Sequence, residues 1–351
     1  MDLIFNKIEE SYKRNLPFVA YRKPNSAALS SLFMNTDELH FSSEFTESGF
    51  VFSPFDSKEN TILFPLKNAE FITKKISYDD SFISNDSFAN ANTSYGEREK
   101  HICVVEKALD KINYNELKKV VVSRKEEVIL ASFDLLVTFK KLLKKYTNAF
   151  VYVWYHPKVG LWFGASPETL LSISDCNFKT MSLAGTQVYK ANEVVWKKKE
   201  REEQQLVTSF IENQLETISK NLSTDKTETI KAGNLLHLKT SVKGTLNTSS
   251  SLKELIRALH PTPAVCGLPR ESAKTFIQQN ENYKRTFYTG FLGELNIKNQ
   301  NSSLFVNLRC MCIEGEIALV YVGGGITKDS NAKKEWEETI AKSKTMKKVL
   351  K

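Results

Sequence analysis

Asn307-Leu308-Arg309 stands ahead of Gly323-Gly324-Gly325 in the stretch SSLFVNLRCMCIEGEIALVYVGGG (302–325), and a helix carrying Glu335, Glu338 and Lys342 follows. The stretch reads as two apolar strands, 303–313 and 317–322, joined by the tight turn Glu314-Gly315. Strand after strand through so short a turn makes an antiparallel hairpin. Working outward, strands are expected at 16–21, 49–55, 61–65 and 119–124, and as a hairpin over 149–155 and 161–165. Two more, 170–173 and 179–183, continue the sheet. Helices are expected at 101–117, 133–146, 200–219, 251–259, 271–281 and 331–350. Strands run in series and helices come in blocks, so the fold class is α+β with antiparallel sheets and not the alternating βαβ of a dinucleotide-binding domain.

The 351 residues are 41% hydrophobic and 26% charged, which is enough for a large core and ordinary for a soluble enzyme. No linker divides them, so one domain over 1–351 is expected, and the polar stretch 77–100 reads as a surface loop. No apolar run is long enough to cross a bilayer, and the N-terminus MDLIFNKIEESYKR mixes charges of both signs. A cytoplasmic protein with no membrane partner is the expectation. The five cysteines include Cys310-Met311-Cys312, whose thiols share one strand face, and no Cys/His cluster completes a zinc site. The two thiols of this C-x-C are expected to be buried and reduced. A net charge of +8 suits nucleic acid or an anionic metabolite equally, but the lysines are spread over helices without interleaved aromatics. No nucleotide-phosphate glycine motif occurs.

Several side chains carry two readings. Glu203 precedes Leu206 and Val207 on one helix face, so it either faces the core and requires a cation or lies in the first turn and reaches water. Glu335, Glu338 and Lys342 share a face at i, i+3 and i+7, as a solvated pair or as hard oxygens of the kind magnesium prefers. Glu168, after Gly164-Ala165-Ser166-Pro167, is a turn residue or a general acid in a cleft. Lys119 guards a sheet edge or serves as a desolvated base. The loop His260-Pro261-Thr262-Pro263-Ala264 is too rich in proline for a helix, and is a connection or a rigid pocket wall.

Taken in order, these blocks resemble the chorismate-utilising enzymes. The resemblance rests on Lys-Val-Val-Val-Ser-Arg (119–124), Gly-Ala-Ser-Pro-Glu (164–168), Leu-Ala-Gly-Thr (183–186), Glu-Arg-Glu-Glu (200–203) and His237-Leu238. The proline loop, Tyr288-Thr289-Gly290, Leu308-Arg309, the glycine triplet and Glu-Trp-Glu-Glu-Thr (335–339) continue it. It covers Lys119 to the C-terminus, about two thirds of the chain, and matches 1–100 only loosely, so 101–351 is expected to be the catalytic core. It implies two stacked antiparallel sheets with helices outside, acting on chorismate, a dianion, with Mg2+. The resemblance assigns Lys119 and Glu168 to catalysis, and Gly185, Thr186, Ala264, Arg309, Gly323 and Lys342 to the substrate. It gives the metal to Glu203 and Glu338, with Glu335 close by.

Within the family, lysine at 119 resembles the isochorismate and salicylate synthases, which activate water. Alanine at 184 stands where aminodeoxychorismate synthases place a nucleophilic lysine. Ala264, where salicylate synthases tend to carry threonine, points to an isochorismate synthase, an isomerase. A salicylate synthase is the alternative, and an anthranilate synthase-type subunit a more distant one. A monomer without an amidotransferase partner is expected, and the product could serve menaquinone or siderophore biosynthesis.

Overall fold

The computed structural model describes residues 2–76, 95–189, 194–232 and 235–350. Two antiparallel sheets stack face to face, with helices on their outer sides. In the first sheet the order is Gly267–Leu268, Lys119–Ile129, Ile317–Ile326, Cys310–Glu314, Gly160–Ser166, Phe150–His156, Phe18–Arg22, Ala28–Met34 and Ala69–Lys75. The second runs Ser219–Thr224, Leu235–Leu246, Asn177–Val188, Thr169–Ser174, Asn301–Val306, Phe291–Ile297, Gly49–Ser53, Thr61–Pro65 and His40–Ser42, and Glu228–Ala232 also pairs with Leu235–Leu246. This is the α+β class with antiparallel sheets that the strand pattern predicts, in the stacked arrangement that the resemblance implies. Among the described residues no helix is long and apolar enough to cross a membrane.

The central strands of the first sheet are covered on both faces, which explains why Phe150–His156 reads as an unbroken apolar run. In Phe150–His156 every residue is buried, yet the two faces differ in kind. Phe150, Tyr152 and Trp154 point between the sheets, where they meet Phe52, Phe64 and Phe305. Val151 and Val153 point outward against Phe5, Phe139 and Leu142 of the helices Asp2–Lys13 and Leu135–Lys145. The strand period of two survives as an alternation of aromatic with aliphatic side chains. The outer face of the second sheet packs on Val207, Ile211 and Leu215 of the helix Lys198–Leu215.

The predicted strand 303–313 requires a correction. It is two strands, Asn301–Val306 in the second sheet and Cys310–Glu314 in the first, and the chain changes sheets between them. Asn307, wholly buried, holds the crossing. Its backbone N–H donates to Gly290 O at 2.8 Å and its carbonyl accepts from Thr289 N at 2.9 Å. Its side chain accepts from Tyr152 Oη at 2.6 Å and donates to Phe287 O at 2.9 Å. Arg309 then adopts φ +48°, a left-handed conformation outside the extended region of regular strand backbone. Apolar residues flank the crossing on both sides, so the hydrophobic pattern alone does not reveal it.

Smaller differences follow from end effects. Of the polar stretch 77–100, residues 77–94 lie outside the described residues, and the rest already belongs to the helix Tyr95–Asn113. The strand opened by Lys119 continues to Ile129, and the helix expected to reach residue 219 stops at Leu215. The last helix is Ala332–Lys347, with Asn331 accepting from Lys334 N as its cap. Trp154 lies between Phe64, stacked at 5.2 Å, and Phe52, edge-on at 5.0 Å. Trp154→Ala is expected to cost about 3–5 kcal/mol in urea unfolding, and a loss below about 1 kcal/mol would show that this layer is not the core.

Candidate active site

The glycine triplet lies in the strand Ile317–Ile326, where Gly323, Gly324 and Gly325 pair with Ser123, Val122 and Val121 of Lys119–Ile129. Acidic side chains occupy the space above it. A Cβ on Gly325 would come within 2.4 Å of Glu203 Oε1, and one on Gly324 within 3.4 Å of Glu335 Oε2 and 3.7 Å of Glu338 Oε1. A side chain at 325 would push aside the Glu203 carboxylate, which comes from the helix Lys198–Leu215 and rests directly on the backbone there. Each acid has its own lysine: Lys119–Glu203 at 2.9 Å, Lys199–Glu335 at 2.7 Å and Lys342–Glu338 at 2.6 Å. Lys342 Nζ also donates to Gly323 O at 2.9 Å. Burial opposes the charge on Glu203, but the Lys119 ammonium outweighs it and holds the carboxyl below its ordinary range. Burial and the neighbouring Glu338 push Glu335 up.

Glu168 is in the opposite condition. Pro167 ends the strand Gly160–Ser166 and turns Glu168 inward, where it is 2% exposed with Oε1 lacking a hydrogen-bond partner. Burial raises its pKa to about 8 against the pull of Lys119, so it carries a proton at neutral pH. Arg309 leaves the sheet crossing half-buried, and among the described residues no carboxylate pairs with it. Its Nη2 lies 3.5 Å from His237 Nε2, and His237 Nδ1 lies 3.0 Å from Gly185 O. A carbonyl only accepts, so the ring proton is assigned to Nδ1 and Nε2 accepts from the guanidinium. Burial, with Arg309 and Lys342 nearby, lowers His237 to about 3 and keeps the ring neutral.

These groups border one cavity holding about 670 Å3 of empty space, its mouth included. Glu168, Gly185, Thr186, Glu203, Ala264, Arg309, Gly323, Glu338 and Lys342 all line it. Lys119 and Glu335 stand just behind, against Glu203 and the glycine triplet. A family model described as "Chorismate binding enzyme" matches residues 57–351. The chain belongs to this family of chorismate-binding enzymes. It is 30% identical over 244 residues to isochorismate synthase EntC of Escherichia coli K12, covering 66% of this chain and 62% of that protein. It is 29% identical over 256 residues to isochorismate synthase MenF of Pasteurella multocida, covering 68% and 58%. The matches thus span about three fifths of these relatives' length. The crystal structure of a putative 2,3-dihydroxybenzoate-specific isochorismate synthase, DhbC, from Bacillus anthracis superposes with TM-score 0.82 at 26% identity, covering 98% of both chains.

In this member of the family, His237, Val121, Tyr288 and Thr289 also line the cavity, and sequence reasoning gave none of them a role. His237-Leu238 and Tyr288-Thr289-Gly290 were visible as blocks of the resemblance, but nothing local shows that His237 meets both Gly185 and Arg309. The acidic cluster fits a hard divalent cation in the chemistry of its donors and in the cradle that Gly324 and Gly325 leave open. With every carboxylate tied to a lysine, no three acidic, histidine or cysteine side chains among the described residues stand close enough to hold a metal as they are. Accepting one requires Glu203 or Glu338 to exchange its lysine for the ion.

Between the ordinary carboxyl range and about pH 8 the folded chain holds a proton on Glu168 that the unfolded chain has lost. Stability is therefore expected to decline as pH rises through that window. Urea unfolding from about pH 5 to about pH 9 should show a Glu168→Gln variant with a flatter decline, and parallel curves would mean that Glu168 is ionised in the fold.

Proposed function

We propose that the protein is an isochorismate synthase, an isomerase converting chorismate to isochorismate with Mg2+ as cofactor. The observation that carries this reading is a buried, protonated Glu168 on the same cavity as the Lys119–Glu203 pair, beside an arginine with no carboxylate partner. A planar guanidinium is suited to bind a carboxylate through two parallel hydrogen bonds, and Arg309 is the group placed for it. His237 holds Arg309 from behind without adding a second positive charge. Glu203 and Glu338 would hold the metal, which supplies positive charge to neutralise and orient the ring carboxylate.

In its neutral form Lys119 takes a proton from water, and the water oxygen bonds to C2 of the ring. The two ring double bonds shift in turn, C1=C2 to C1=C6 and C5=C6 to C4=C5, the C4–O bond breaks, and Glu168 gives its proton to the departing hydroxyl, which leaves as water. One water enters and one leaves, so substrate and product are isomers. An acid held near 8 and a lysine sharing a carboxylate are the two ends such a proton exchange requires. Ala264, Gly185 and Thr186 shape the wall against the substrate. The hydroxylated product, and not an aminated one, follows from the lysine at 119.

Chorismate incubated with the protein and Mg2+ is expected to give isochorismate by product chromatography, without pyruvate or fluorescent salicylate. Release of pyruvate would make it a salicylate synthase, and ammonium-dependent anthranilate fluorescence an anthranilate synthase-type subunit. Lys119→Ala and Glu168→Gln should each lower the rate by about a hundredfold or more, and full activity in either removes that residue from the chemistry. Glu338→Gln should weaken Mg2+ binding in calorimetry, and an unchanged titration would refute its role as a ligand.

A further inference from the structure

The strand that carries Lys119 has an incomplete neighbour. On one side Lys119–Ile129 pairs along its length with Ile317–Ile326, but on the other the strand Gly267–Leu268 reaches only Lys119 and Val120. Cys266 O accepts from Val121 N at 2.8 Å, and there the backbone partner ends. Two side chains take over. Arg285 Nη2 donates to Val121 O at 2.7 Å, and Glu281 Oε1 accepts from Ser123 N and Ser123 Oγ, each at 2.8 Å. A guanidinium and a carboxylate thus supply the donor and acceptor that a neighbouring strand would have offered.

Arg285 uses all five of its N–H groups. Nε and Nη2 donate to Glu281 at 2.8 and 2.5 Å, Nη2 also to Val121 O, and Nη1 to Val265 O at 2.8 Å and Thr289 Oγ1 at 3.2 Å. Val121, Val265 and Thr289 all line the cavity, and they come from three different segments: the lysine strand, the proline loop and the approach to the sheet crossing. Phe55 covers the guanidinium face at 4.7 Å, and both partners of the ion pair are about 2% exposed. Burying such a pair adds little to stability by itself. Its geometry fixes three walls of the site relative to one another.

We propose that Arg285, locked by Glu281, is a positioning residue that sets the reach of Lys119 into the cavity without touching substrate. This rests on the reading of Lys119 as the base. Arg285→Lys keeps the charge but offers three donors where five acceptors wait. It is expected to lower kcat about tenfold to a hundredfold while KM for chorismate stays within about threefold, because a base displaced by about an ångström slows the chemical step more than binding. Ser123→Ala, which removes one hydroxyl from the same lock, should lower kcat about threefold with Tm unchanged, and it decides the matter if Arg285→Lys does not fold. Unchanged kcat in the folded variants, or a loss confined to KM, overturns the inference. Lys119→Ala is measured alongside: if it is inactive while Arg285→Lys is fully active, only this inference fails, and if it is fully active the base assignment itself falls.

Discussion

Three carboxylates and three ammonium groups share a few ångströms above a glycine strand, and the rest of the site is arranged around keeping them there. Unpaired charges at this depth would cost several kcal/mol each, so the fold brings every acid its own base, from three separate segments. The helix Lys198–Leu215 delivers Glu203 and Lys199, the helix Ala332–Lys347 delivers Glu335, Glu338 and Lys342, and the first sheet delivers Lys119. The glycines are the condition for this assembly. A side chain at 325 would come within 2.4 Å of a Glu203 oxygen and displace it from the strand.

The last helix must also be held at the correct rotation, since a slip of one residue turns its acidic face by about 100°. Arg124 provides the hold from the lysine strand. Its guanidinium lies 4.3 Å over the Trp336 ring, its Nε donates to Thr339 Oγ1 at 2.9 Å, and its Nη2 pairs with Glu126 at 3.0 Å. Glu126 in turn pairs with Lys347 at the end of the same helix. Trp336 and Thr339 alternate along the helix with Glu335 and Glu338, so one face is anchored and the adjoining face looks onto the glycines. The strand that carries Lys119 therefore also orients the acids on Ala332–Lys347.

Much of this was legible in the sequence, for identifiable reasons. Strands in series through short turns gave the antiparallel sheets, and the motif order gave a site whose members the fold brings to one cavity, with Lys119 and Glu335 at its back. Three kinds of feature were hidden. The sheet crossing at Asn307 lies inside an apolar run, and since both sheets are buried the pattern stays the same when the chain passes from one to the other. The strands Ser219–Thr224, Glu228–Ala232 and Leu235–Leu246 are rich in serine, threonine and lysine and carry no clear alternation. Arg285 and His237 act through backbone carbonyls far away in sequence, Val121 and Val265 for one and Gly185 for the other. No local pattern records such contacts.

Glu168 and Glu203 show how one cavity holds two carboxyl groups in opposite states. Burial pushes the pKa of both upward. The difference is reach. Lys119 Nζ lies 2.9 Å from Glu203 and makes a charge-assisted hydrogen bond, while toward Glu168 it exerts only an unscreened pull that burial exceeds. Pro167 and the short loop after Ser166 set this difference by fixing the Glu168 backbone, whose carbonyl accepts from Val306 N at 3.0 Å in the strand just before the sheet crossing. The same crossing that turns Arg309 into the cavity thereby fixes the acid beside it. An acid that keeps its proton and an acid that has given it up are placed within one site by the path of the backbone.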